Sequence, residues 1–167
     1  MKKMVHKNHV LKQIVKQKGY WNYNELYIFC YNWFKDNGYK LAEKQYTEKL
    51  SAAGKEIILD WEAYRKVSDY FKNTISVKWH ILGMNDAEVE QDGKKVKTNK
   101  GEVKITINAD LEKDYEHKWE NKPIWKFLRG LYDKFILRTT VDEYEDRLED
   151  ETNEYIDELK AFLRLKK

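Results

Sequence analysis

The chain has 167 residues, of which 41% are hydrophobic and 37% charged, and its six Trp, twelve Tyr and six Phe supply material for one buried core, which excludes a disordered chain. No apolar run reaches the length of a membrane span. The basic start Met1-Lys2-Lys3-Met4-Val5 also lacks the apolar stretch of a signal peptide, so a cytoplasmic protein is expected. The net charge of +3 hides an asymmetry: Lys2, Lys3, Lys7, Lys12, Lys16 and Lys18 all precede the first acid, Glu25, whereas residues 142–158 hold ten acids opposed by Arg147 alone.

Residues 1–18 read as a basic segment ahead of one domain, 19–167. Met4, Val10, Leu11, Ile14 and Val15 partly satisfy helical spacing and permit a short basic amphipathic helix, with a strand as the alternative. Asn22-Tyr23-Asn24-Glu25 then reads as a helix start, because the Asn22 side chain can accept from an exposed backbone N–H. That helix is expected to reach Lys35, to be largely buried, and to stop at Asn37-Gly38. Cys30, the only cysteine, lies inside it and reads as a buried thiol in a reducing compartment.

Residues 39–50 fit helix and strand about equally and are taken as a strand, since Ser51-Ala52-Ala53-Gly54 leads directly into clear alternation. Ile57, Leu59, Trp61 and Ala63 share one face of the next strand, and Phe71, Ile75, Val77, Trp79 and Ile81 one face of another. Asp92-Gly93, between Val89 and Val96, has the composition of a type I′ hairpin turn. Val103, Ile105, Ile107, Ala109 and Leu111 give the cleanest period of two. Helical spacing returns at Pro123 with Ile124, Phe127, Leu128, Leu131, Tyr132, Phe135 and Ile136. It continues in a long helix marked by Val141, Tyr144, Leu148, Tyr155, Ile156, Leu159, Phe162 and Leu163, whose acids lie early and bases late.

The fold class expected is α+β: an antiparallel meander of four or five long strands covered by an N-terminal helix and two C-terminal helices. The helix at 22–35 and the stripe at 124–136 are the expected covers. Gly130, inside that stripe, suggests close helix packing.

Catalytic machinery is not visible in the sequence. Ser51, Ser68 and Ser76 sit in no nucleophile elbow, His6-Lys7-Asn8-His9 supplies two histidines without further ligands, and the glycines stand singly. His80 falls on the polar side of its strand, and His117 sits among charges. No metal and no cofactor are expected.

Asn24-Glu25-Leu26-Tyr27, Leu82-Gly83-Met84, Asp92-Gly93-Lys94-Lys95-Val96 and Trp125-Lys126-Phe127-Leu128-Arg129-Gly130 resemble a family of small archaeal proteins without an assigned function. The resemblance implies a single compact domain and an archaeal source, and it brings no functional residues with it.

The first functional reading is a non-enzymatic binding or assembly protein. Its Lys2, Lys3, Lys7, Lys12, Lys16 and Lys18 would meet a polyanion, or the acidic C-terminal helix of another copy. The segment contains no Arg, so any nucleic-acid contact would be non-specific. A second reading is a carrier of a lipid or other apolar small ligand between sheet and helices, in a cavity lined by Trp61, Val77, Trp79, Ile105 and Ile107. A third is an enzyme of unknown class drawing carboxylates and tyrosines from separate elements.

Overall fold

The structure is a computed structural model and describes residues 6–116, 123–135 and 137–165. In chain order it contains β1 (His6–Trp21), α1 (Tyr23–Asp36), β2 (Lys40–Ser51), β3 (Gly54–Lys66), β4 (Phe71–Gln91), β5 (Lys94–Lys113), α2 (Pro123–Phe135) and α3 (Leu137–Leu165). The five strands form one sheet in the order β1-β5-β4-β3-β2, with every neighbouring pair antiparallel. Strands β2 to β5 are thus a meander, and β1 adds to its end beside β5.

Residues 6–21 are strand, which decides between the two readings of the N-terminal segment. The register of β1 against β5 shifts between His9 and Leu11, so Val10 is an extra residue in the ladder. Val10 and Leu11 both end half-buried against the core, and two adjacent apolar positions imitate helical spacing.

Helix α1 carries the chain from one edge strand, β1, to the other, β2. Asn22 caps it, its side chain accepting from the Glu25 N–H at 3.0 Å. At the far end Gly38 takes φ +77°, and the Tyr39 N–H donates to Phe34 O at 2.9 Å while the Gly38 N–H donates to Lys35 O at 3.1 Å. This pair of bonds is a Schellman stop. Leu26, Cys30, Trp33 and Phe34 are buried, whereas Ile28 and Tyr31 are exposed, so α1 is amphipathic rather than buried all round.

Ile57, Leu59, Trp61, Ala63, Ile75, Val77, Trp79, Ile81, Val103, Ile105, Ile107, Ala109 and Leu111 form one continuous buried face of the sheet. Its cover corrects the expectation in one respect. Helix α3 packs on β1 and β5 and α1 packs on β2 and α3, while the neighbour that α2 chiefly touches is α3. Val141, Leu148, Tyr155, Ile156, Leu159 and Leu163 of α3 are buried. Ile124, Phe127, Leu128 and Leu131 of α2, expected in the core, are exposed. Two amphipathic stripes compete for one sheet face, and the longer takes it. Among the described residues, no atom beyond the helix's own backbone and the chain neighbours of Gly130 lies within 4 Å of where its Cβ would stand, so the close packing expected there is not seen.

The hairpin of β4 and β5 outruns its neighbours. Its tip, Asp92-Gly93, has φ values of +52° and +74°, the positive pair that a type I′ turn requires. At its root the registers shift between Leu82 and Asn85 in β4 and between Lys55 and Ile57 in β3. The strands there approach so closely that a Cβ on Gly54, at φ +123°, would lie 2.8 Å from the Gly83 carbonyl carbon, and one on Gly101 would lie 3.0 Å from Met84 Cα.

Candidate polyanion-binding face

The second face of the sheet carries the polar alternates of every strand. Because side chains alternate with a period of two, placing Val15 on the buried face opposite Ile105 puts Lys12, Ile14, Lys16, Lys18 and Tyr20 together on the other. The ladder then brings Lys12 opposite Asn108, Lys16 opposite Lys104 and Lys18 opposite Glu102, and Lys104 is in turn opposite His80.

At the end of this face near the β1 start and the β5 end, Lys7 and Lys72 each have an acid. Lys7 Nζ lies 2.9 Å and Lys72 Nζ 2.7 Å from the buried carboxylate of Glu112, to which the Thr74 hydroxyl also donates at 3.1 Å. His9 Nδ1 and Asp110 are 2.9 Å apart. Further across the sheet, His80 Nε2 meets Glu56 at 2.9 Å, on the polar side expected from sequence. Burial alone would push the Glu112 carboxyl up, but hydrogen bonds from Lys72 and Lys7 and their charges outweigh it and hold the group below its ordinary range.

Toward the other end the pairing stops. Lys12, Lys16, Lys18 and Lys104 are exposed, and their ammonium groups have no ion-pair partner among the described residues. Beyond them, at the root of the hairpin, a cleft is lined by Lys18, Glu56, Leu82, Lys100, Gly101 and Glu102 among others. Lys100 Nζ sits 5.3 Å from the centre of the exposed Tyr20 ring. Five lysines, an aromatic ring and two exposed apolar side chains, Ile14 and Leu82, therefore line one accessible surface.

The residues singled out from sequence divide accordingly. Lys12, Lys16 and Lys18 come together, Lys7 is engaged by Glu112, and Lys2 and Lys3 lie outside the described residues. Lys104 and Lys100 were missed, although the alternation of Val103, Ile105 and Ile107 already assigns Lys104 to the polar side. His117 lies outside the described residues.

Trp61, Val77, Trp79, Ile105 and Ile107 are all buried in the packed core. The Trp61 and Trp79 rings lie 5.3 Å apart, and Tyr27 from α1 closes on Trp61 edge-on at 4.9 Å. The Trp79 indole N–H finds no acceptor among the described residues. The cleft at the hairpin root and a second one beside the start of α1 are lined by other residues.

The acids of α3 also serve two purposes. Arg65 grips Glu151 with two bonds of 2.7 Å, stacks 4.6 Å from the Tyr39 ring centre, and so ties α3 to β3. Asn8 donates to Glu145 at 2.7 Å. Asp142, Glu143, Asp146, Glu149, Asp150, Glu154, Asp157 and Glu158 remain exposed. Cys30 is fully buried, and burial pushes its thiol up to about 12, which leaves it unreactive in the folded state. No cluster of three or more His, Cys, Asp or Glu suited to a metal ion occurs among the described residues.

No family model, no curated protein and no solved structure matches the chain.

Proposed function

We propose that this protein is a non-enzymatic binder of polyanions, which it takes along the open face of its sheet on Lys12, Lys16, Lys18, Lys104 and Lys100. The observation that carries the reading is the side-by-side placement of Lys16 and Lys104. Like charges directly across a ladder destabilise a sheet, and this pair has no counter-ion among the described residues. A phosphate backbone laid along β1 would supply the missing charge. Residues two apart on a strand stand about 7 Å from each other and facing strands about 4.8 Å, so the lysines present a ladder rather than a point. With lysine and no arginine on it, this strip would neutralise phosphates without reading bases, while Tyr20 offers a ring for stacking.

Fluorescence anisotropy with a labelled single-stranded oligonucleotide, and competition by inorganic polyphosphate, tests this. Affinity is expected to fall with salt at a log–log slope of roughly −3 to −4, for about five phosphates neutralised. The double variant Lys16→Glu/Lys104→Glu is expected to abolish it. Absence of binding at low salt, or binding indifferent to that variant, overturns the reading.

One observation favours a second reading, self-assembly. The exposed acids of α3 belong to the helical layer that covers one side of the sheet, and the unpaired lysines lie on the other. Front-to-back contact between copies would match these surfaces and, being heterologous, would propagate rather than close. Sedimentation over a range of concentrations at low salt separates the two: assembly predicts growing species that polyphosphate dissolves, whereas simple polyanion binding predicts a monomer until polyanion is added.

A further inference from the structure

Helix α2 presents a surface that the sheet-face reading leaves unused. Ile124, Phe127, Leu128 and Leu131 follow the spacing i, i+3, i+4, i+7 and so share one side of the helix. Their exposures are 64%, 67%, 40% and 43%, so Ile124 and Phe127 stand mostly in water. Among the four charged residues in the sequence of α2, Lys126, Arg129 and Lys134 are basic and only Asp133 is acidic. With 13 residues α2 is about 20 Å long, short of the roughly 30 Å of a bilayer interior, and no helix among the described residues is long and apolar enough to cross a membrane.

We infer that α2 is an interfacial helix that docks on an anionic lipid surface, lying in its plane with Ile124, Phe127, Leu128 and Leu131 among the acyl chains and its lysines at the headgroups. Charge complementarity selects this occupant over a second copy. Two α2 helices face to face would bring together two segments that each hold three bases and one acid. The acidic outer side of α3 has the complementary charge, but none of the exposed large apolar side chains among the described residues belongs to α3, so it cannot cover Phe127. An anionic bilayer offers both the apolar interior and the negative rim. The inference does not depend on the sheet-face reading, because the two surfaces share no residue.

Co-sedimentation of the full chain with vesicles tests it, using phosphatidylcholine alone and phosphatidylcholine with phosphatidylserine in equal parts. The parent protein is expected to pellet with the mixed vesicles and far less with phosphatidylcholine. Ile124→Glu/Phe127→Glu is expected to abolish pelleting, and Lys126→Gln to weaken it roughly fivefold, the effect of one basic residue at a charged membrane surface. Since the substituted positions are exposed, the variants should keep the parent's circular dichroism and its oligonucleotide binding, which reports folding separately. Lys16→Glu/Lys104→Glu should pellet like the parent, so failure of one proposal is distinguishable from failure of the other. Equal pelleting with both vesicle types, no pelleting, or pelleting unchanged by Ile124→Glu/Phe127→Glu overturns the inference. A dimer of the parent that the same variant converts to monomer also overturns it and assigns the face to a second copy.

Discussion

Strands β1 and β5 run side by side for their whole shared length, yet the open face they build differs at its two ends. At one end Lys7 and Lys72 converge on the buried carboxylate of Glu112, and His9 sits on Asp110. At the other, Lys16 faces Lys104 and neither has an acid within ion-pairing distance among the described residues. The same residue type therefore does opposite work at the two ends, and the ladder register, rather than net charge, decides which. Where charge is matched it joins three strands; where it is unmatched, like charges stand side by side at a small cost in stability.

Removing Glu112 should have the largest effect. Glu112→Ala strips the partner from two lysines, one of them itself three-quarters buried, and is expected to cost about 3 kcal/mol, near the low end for breaking a buried pair because Lys7 remains open to water. In thermal denaturation this corresponds to a fall in Tm of roughly 6 to 12 °C, with oligonucleotide affinity in the folded variant unchanged. The pH dependence follows from the same triad. Because the folded carboxyl of Glu112 titrates below its unfolded value, its contribution is complete above the ordinary glutamate range near 4.3 and is lost as pH falls through the folded value. For Lys7 burial favours the neutral amine, but the hydrogen bond and charge of Glu112 outweigh that and raise the group. Its contribution is therefore complete below the unfolded lysine value near 10.4 and lost as pH rises through the folded one. Denaturant titrations across pH should show this acid limb shrink in Glu112→Ala.

The other end should respond with the opposite sign. Lys16→Ala relieves a like-charge neighbour and is expected to raise stability by about 0.2 to 0.5 kcal/mol in urea titration, while lowering oligonucleotide affinity several-fold. Lys12→Ala, opposite the neutral Asn108, is the smallest effect: stability unchanged within about 0.2 kcal/mol, with a comparable loss of affinity. A Lys16→Ala that destabilises the fold would mean that the two ends do not differ in kind.

The central strands were legible because Ile57 to Ala63, Ile75 to Ile81 and Val103 to Leu111 alternate without interruption, and each face comes out as the alternation requires. Residues 6–21 were not, because the bulge at Val10 breaks the period. With the segment undecided between helix and strand, nothing in the sequence gathers Lys12, Lys16 and Lys18 on one face. The register that sets Lys104 beside Lys16 is a long-range property and leaves no local trace. The apolar stripes of α2 and α3 were both readable, but which of them reaches the sheet depends on competition for the same surface, and spacing within each stripe is silent about that.

From Ala87 to Thr98 the β4–β5 hairpin has no third strand: β3 ends its pairing at Met84 and β1 at Asn99. Opening this projecting finger exposes none of the buried sheet face, so it can fray while the body stays shut. Deuterium uptake should therefore reach amides around Val89 and Val96 long before those around Val77 and Ile107, and a protease nick at Asp92-Gly93 should leave the five-strand body folded.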